Sequence, residues 1–329
     1  MRHTHSVTSI SWIPSEAMSG PMRLPMDLGI GHYDSAPPDS IDADVLEQLR
    51  ESDGLRFANR LEVWIEEEDG AIVDAGYAGG ALVGSTTAQL GFGSVTFPGV
   101  GFPLIQSPPE LTPHGIRFVQ SAGGRTGSPF PRRIDRPPYV RLTAPTAWTT
   151  LAITLGGNGE SSFDVVGASP FPRHWIYDDT GALAAKSGTI DFTEWTRTGD
   201  HDRTPWGDQE RAVMLAAVES AVERALSGVL MGEAPRIRQL PVGGALTTQG
   251  ESATDIYLVL DGMLTVDVDG ETVAEIGPGA IVGERASLEG GLRTSTVRAS
   301  SPVTYAAVPA SALPTDDLHA VAATHRREA

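Results

Sequence analysis

The 329-residue chain contains no cysteine. A disulfide framework, a thiolate nucleophile and a thiolate-ligated zinc are therefore excluded, and the absence fits a reducing compartment. Basic residues are scarce. The 24 Lys+Arg stand against 42 Asp+Glu, a formal net charge of -18. Proteins that bind nucleic acid draw much of their affinity from clustered Lys and Arg that neutralise phosphates. The densest basic spot here, PRRIDR at 131–136, carries its own aspartate. No nucleic-acid partner is expected. Long apolar runs are missing as well. The N-terminal thirty residues hold no continuous apolar stretch of signal-peptide length, and nothing approaches the roughly 20 apolar residues that span a bilayer. The expectation is a soluble, cytoplasmic protein with no membrane partner.

Catalytic signatures are also lacking. There is no GxSxG, no HExxH, no phosphate loop with its lysine, and no GxGxxG opening a helix. GGNGESS (156–162) is rich in glycine but lacks that lysine, and reads as a hairpin loop. His3, His5 and His32 are metal-capable side chains that a mobile N-terminus explains more simply. Asp200, His201 and Asp202 form the most ligand-like cluster, in a polar loop beside Arg203. Trp175, Trp195 and Trp206 read as core. No metal, no cofactor and no catalytic residue is expected, and no motif in residues 1–205 assigns that part a task.

What the chain has in abundance is turns and alternating apolar residues. It carries 37 Gly and 24 Pro. LEVWI (61–65), TTLAITL (149–155), HWIYDDTGALAAKSGTIDF (174–192) and IYLVLDGMLTVDVDGETVAEIG (256–277) repeat with period two, the mark of strands. Asp69-Gly70 between two such runs predicts a hairpin, because both turn positions favour positive φ. Residues 79–115, dense in Gly and Pro, suggest irregular excursions. In GDQERAVMLAAVESAVERALSGVLMG (207–232), apolar residues recur at spacings of three and four, which predicts a helix capped near Asp208 and ending at Gly232. The sequence therefore divides as follows: a Pro-rich, partly irregular segment (1–55), an antiparallel β domain (56–206), a linking helix (207–232), a second β region (233–313), and a short tail (314–329). The fold class expected is mainly β.

The second β region holds a spaced pattern: QGE (249–251), IYLVLDG (256–262), a turn IGPGA (276–280), then GERASL with an arginine nine positions after its glutamate (283–293). This pattern resembles the cyclic-nucleotide-binding domain of bacterial catabolite activators, kinase regulatory subunits and cyclic-nucleotide-gated channels. The resemblance covers roughly residues 233–313 and implies a β-roll. It further implies a ligand site formed by Gly283, Glu284, Arg285, Ala286, Ser287, Arg293, Thr294 and Ser295. In that site Arg293 would meet the cyclic phosphate with its planar donor fork. Backbone N–H groups of the short turn opened by Gly283 would face the same anion, and Glu284 would accept from the ribose 2′-hydroxyl. Arg298 offers the same charge, and only the register selects Arg293.

The chain departs from the pattern in two places. Ser287 stands where members of the family usually carry Leu or Ile. The chain also ends about fifteen residues after Pro314, so the helix that closes the family's pocket is expected to be short or absent. Thr294 resembles the hydroxyl of some cGMP-selective members, whereas bacterial cAMP binders often have Ser there; cAMP is the expected ligand, with cGMP the alternative. Three functions follow from these residues. The first is a non-enzymatic sensor coupling cyclic-nucleotide binding to the N-terminal β domain, with a protein partner or self-association through helix 207–232. The second is an enzyme in residues 1–205 gated by the ligand. The third is a degenerate roll that serves protein contacts and binds no nucleotide.

Overall fold

The computed structural model describes residues 1–15, 23–28, 32–89, 93–126, 130–133, 137, 140–144, 146–192, 204–206, 215–216, 218–252 and 254–325. The chain divides into two compact units, Met1–Val213 and Met214–Ala329.

In the N-terminal unit, β1 (Arg2–Trp12) is no irregular leader. It lies between β2 (Phe57–Glu68) and β7 (Arg173–Tyr177), antiparallel to both. The sheet continues to β3 (Ala71–Val83) on one side and β8 (Leu183–Ser187) on the other. Period two explains the assignment: Phe57, Asn59, Leu61, Val63 and Ile65 of β2 alternate inward, all fully buried. The expected hairpin forms between β2 and β3, where Asp69 and Gly70 both take positive φ. A second sheet places β4 (Gly115–Arg125), β5 (Thr146–Leu155) and β6 (Ser161–Ala168) side by side, and residues 156–160 make the hairpin loop expected of the glycine-rich stretch.

The two sheets meet across a polar seam. Ser9 Oγ lies 2.7 Å from Thr149 Oγ1, Asn59 Nδ2 donates to Thr149 O at 3.0 Å, and Gln120 Nε2 donates to Asn59 Oδ1 at 2.8 Å. Buried polar groups must find partners, and here they find each other. On the opposite face of the first sheet, Ile10, Trp12, Trp175 and Tyr177 pack with Leu46 of α1 (Ala43–Glu51). Trp175 is core, as expected. Trp206 is half-buried, set edge-on to Phe102, with its N–H on Pro103 O. Trp195 and the Asp200, His201, Asp202 cluster lie outside the described residues. The stretch 79–115 is more regular than its composition suggests. β3 runs to Val83, Thr86–Gln89 pairs with Ser94–Phe97, and short strands at 100–101, 105–106 and 110–112 pair with β4. His3 and His5 sit on β1 in an ordered strand, apart from His32, which contacts Arg56. Among the described residues no group of three or more His, Asp or Glu side chains is arranged to hold a metal ion.

In the C-terminal unit the expected 26-residue helix is corrected to α2, Ala221–Gly232. Residues 207–214 and 217 lie outside the described set, and Leu215–Ala216 is strand. The reason is a start signal inside the periodic run. The Ser220 hydroxyl accepts from Glu223 N at 3.2 Å and Glu223 reaches back to Ser220 N at 2.8 Å, a capping box that starts the helix there.

After α2 the chain builds a roll of two four-stranded sheets. One orders β9 (Arg236–Leu240), β16 (Val303–Pro309), β11 (Asp255–Asp261) and β14 (Ile281–Val282); the other orders β10 (Ala245–Thr247), β15 (Thr296–Ala299), β12 (Leu264–Val268) and β13 (Glu271–Ile276). The continuous apolar run IYLVL has a simple cause: β11 is buried on both faces. Val259 points into the roll with Leu264, Val297 and Tyr305, while Ile256, Leu258 and Leu260 point out against Leu226 and Leu230 of α2. The tail forms a helix, α4 (Thr315–Thr324), whose Leu318 and Val321, three apart, join that outer core. Among the described residues no helix is long and apolar enough to cross a membrane.

Candidate functional site

Inside the roll lies a cavity of about 450 Å³. Its apolar wall includes Val266, Val273 and Val297. Facing that wall is the turn between β14 and the single-turn helix α3 (Glu284–Leu288), together with Arg293–Ser295.

The turn depends on Gly283. Its φ of +103° lies in the region that side-chain-bearing residues avoid. A Cβ there would also sit 2.1 Å from Arg293 Nη1 and 3.0 Å from Asp255 O. Glycine therefore serves twice, for the bend and for the close approach of the arginine. Arg293 is held at its backbone by the QGE turn, donating to Glu251 O and accepting from Gly250 N, both at 2.8 Å. That contact is the physical content of the QGE element. The guanidinium donates to Gly283 O at 3.2 Å and Asp255 O at 2.8 Å, with its carbon 5.1 Å from the Tyr257 ring centroid. Arg293 is 5% exposed, and its hydrogen bonds among the described residues go to carbonyl oxygens, with no carboxylate in ion-pair range. Arg298, its rival by charge, is exposed on β15.

Of the eight expected residues, Gly283, Glu284, Arg285, Ala286, Arg293, Thr294 and Ser295 line the cavity. Ser287 does not. It lies on the exposed face of α3, and Leu288 supplies the apolar contact to the outer core. A single helical turn cannot aim four consecutive side chains at one side, and Ser287 is the one turned away.

Glu284 is 4% exposed, and its partner comes from a place the sequence did not suggest. His325, at the end of α4, donates from Nδ1 to Glu284 Oε1 at 2.8 Å and from Nε2 to Glu223 Oε1 at 3.1 Å. Hydrogen bonds from Glu223 and Glu284 hold the His325 imidazolium up to about 10, against the lowering effect of burial. For Glu223, burial alone would raise the carboxyl. Hydrogen bonds from His325, Ser220 N and Ile281 N outweigh it and hold the group below the usual carboxylate range. Arg285 Nη2 donates to His325 O at 2.8 Å, fixing the same residue from its backbone. The closing helix is thus short, as expected, but present: Thr324 and His325 reach the cavity, as does Glu223 of α2. Sequence reasoning missed His325 and Glu223. Ser220-x-x-Glu223 was readable as a cap; nothing local marked either side chain as part of a cavity.

A family model described as the cyclic nucleotide-binding domain matches residues 237–315. The cyclic nucleotide-gated potassium channel mll3241 of Mesorhizobium japonicum is 31% identical over 161 residues, 47% of this chain and 42% of the channel. This chain thus spans less than half the length of that relative. Among solved structures, a cyclic nucleotide-binding-like protein from Brucella abortus is 26% identical over 25% of this chain and 75% of its own, with a TM-score of 0.23. A cyclic nucleotide-binding domain from Methylobacillus flagellatus is 24% identical over 28% of this chain and 62% of its own, with a TM-score of 0.25.

Proposed function

With residues 237–315 a cyclic nucleotide-binding domain, we propose that the chain is a cytoplasmic, non-enzymatic regulator that takes up cAMP in this cavity and relays occupancy to its N-terminal unit. One observation carries the ligand reading: a buried guanidinium at the cavity wall whose protein acceptors are carbonyls. A guanidinium has five N–H donors and a permanent charge, and burying that charge without an anion is unfavourable. A cyclic phosphodiester supplies one negative charge and oxygens that accept in the plane of the fork. Glu284 then accepts from the ribose 2′-hydroxyl, and the apolar wall receives the base.

The non-enzymatic reading has its own support. Three buried titratable groups of the N-terminal unit are engaged in contacts within it. Arg56 pairs with Asp34, and His174 lies between Ser11 Oγ at 2.7 Å and Ser169 O at 2.9 Å.

Titration calorimetry with cAMP, cGMP and AMP tests the reading. The cyclic species bind, cAMP more tightly than cGMP, and AMP does not. Arg293→Ala loses two or more charge-assisted bonds, worth about 1.5–3 kcal/mol each, so affinity falls roughly 100-fold or more. Absence of heat with every nucleotide, together with unshifted melts, would refute it.

A further inference from the structure

Glu284 needs more than its place in the turn to serve as a hydroxyl acceptor. Its side chain is almost wholly buried, and a carboxylate in that setting settles wherever it finds donors. The structure supplies one donor, from the far end of the unit. Both His325 nitrogens meet carboxylate oxygens, Nδ1 that of Glu284 and Nε2 that of Glu223. Two acceptors require two N–H groups, hence the imidazolium. The ring cannot easily swing away, because Arg285 holds the His325 carbonyl and Glu223 is itself fixed by the backbone N–H groups of Ser220 and Ile281. Glu284 Oε2 has no hydrogen bond among the described residues, and Glu284 lines the cavity. A carboxylate has about four lone-pair sites over two oxygens. One occupied by the ring leaves the other oxygen available.

We propose that His325 is a positioning residue of the nucleotide site, clamping Glu284 Oε1 so that Oε2 is presented to a ribose 2′-hydroxyl and tying that carboxylate to α2 through Glu223. This assignment rests on the cyclic-nucleotide reading above and adds to it the element that sets ribose recognition. His325 does not touch the nucleotide in this scheme. It acts through Glu284, and its contribution appears only with ligands that carry the hydroxyl.

The test measures affinities of the full chain for cAMP and 2′-deoxy-cAMP in the unsubstituted protein, His325→Gln, His325→Ala, Glu284→Gln and the His325→Ala/Glu284→Gln double variant. In the unsubstituted protein cAMP binds about tenfold or more tightly than the deoxy analogue, the worth of one ordinary hydrogen bond. Both His325 variants lose most of that ratio through weaker cAMP binding, while 2′-deoxy-cAMP affinity stays within about twofold. The double variant shows no further loss relative to Glu284→Gln alone, because the two residues act as one unit. If both ligands weaken equally in the His325 variants, the histidine is merely structural and the inference is overturned. If neither ligand weakens, the inference fails while the site reading stands. If the unsubstituted protein binds neither ligand, both fall together.

Discussion

Gly283, Arg293 and His325 each act through an atom that a close substitute would lack or misplace. Gly283→Ala puts a methyl group against the Arg293 guanidinium at a positive φ, a strain of about 1–3 kcal/mol before any displacement of the arginine. Both the melting temperature of the C-terminal unit and nucleotide affinity should fall. Unchanged affinity in a folded Gly283→Ala protein would mean that the arginine is not set by that turn. His325 gives a pH signature. Its folded-state value of about 10 exceeds the ordinary 6.5, so its stabilisation is complete below pH 6.5 and is lost as pH rises toward 10. The stability gap between the unsubstituted protein and His325→Gln should therefore shrink across that window. A gap that stays constant in thermal melts would contradict the clasp. His174 has the opposite sign. Full burial lowers it to about 4, so its contribution is present above pH 6.5 and lost as pH falls through that interval.

At the level of elements, α2 and α4 are held by different means, and the difference is measurable. α2 is defined at its start by the capping box, so Ser220→Ala should cost about 1 kcal/mol of stability, read by chemical denaturation. α4 has no side-chain cap and is retained by Leu318 and Val321 in the outer core. Leu318→Ala should cost roughly 2–5 kcal/mol and, by loosening the end that carries His325, also weaken nucleotide binding. Strands were the legible elements. Alternation in residues 61–65 and 256–277 led to the strands there, and Asp69-Gly70 to its hairpin. The helix boundary at Ser220 was less so, because the apolar periodicity continues upstream of the capping box, past Leu215–Ala216, which is strand. The central place of β1 was not legible at all. A strand's partners are chosen by distant chain segments, here residues 57–66 and 173–177.

For the whole molecule, net charge and division into two units set the observable behaviour. A formal charge of -18 should leave the protein unable to shift duplex DNA even at low salt, where a basic patch would be most effective. Coupling between the units is the larger question. A ligand at 100 times its dissociation constant stabilises the state that binds it by about 2.7 kcal/mol. If occupancy is relayed to the N-terminal unit, calorimetric unfolding with saturating cAMP should move every transition. Should one transition move and another stay fixed, the units act independently and the regulatory reading loses its output.

By itself the sequence determined the β-rich class, the absence of thiol chemistry, and seven of the residues that line the cavity. The thiol exclusion follows from composition alone, and the rest depends on local spacing: a glycine at a bend, an arginine nine positions after a glutamate, apolar residues on alternate positions. Tertiary structure alone decided that Ser287 faces outward, that Arg293 is buried with no carboxylate partner among the described residues, and that His325 closes on Glu284 and Glu223 across 41 and 102 residues of chain. Such contacts form between side chains brought together by core packing, and no periodicity in the chain records them.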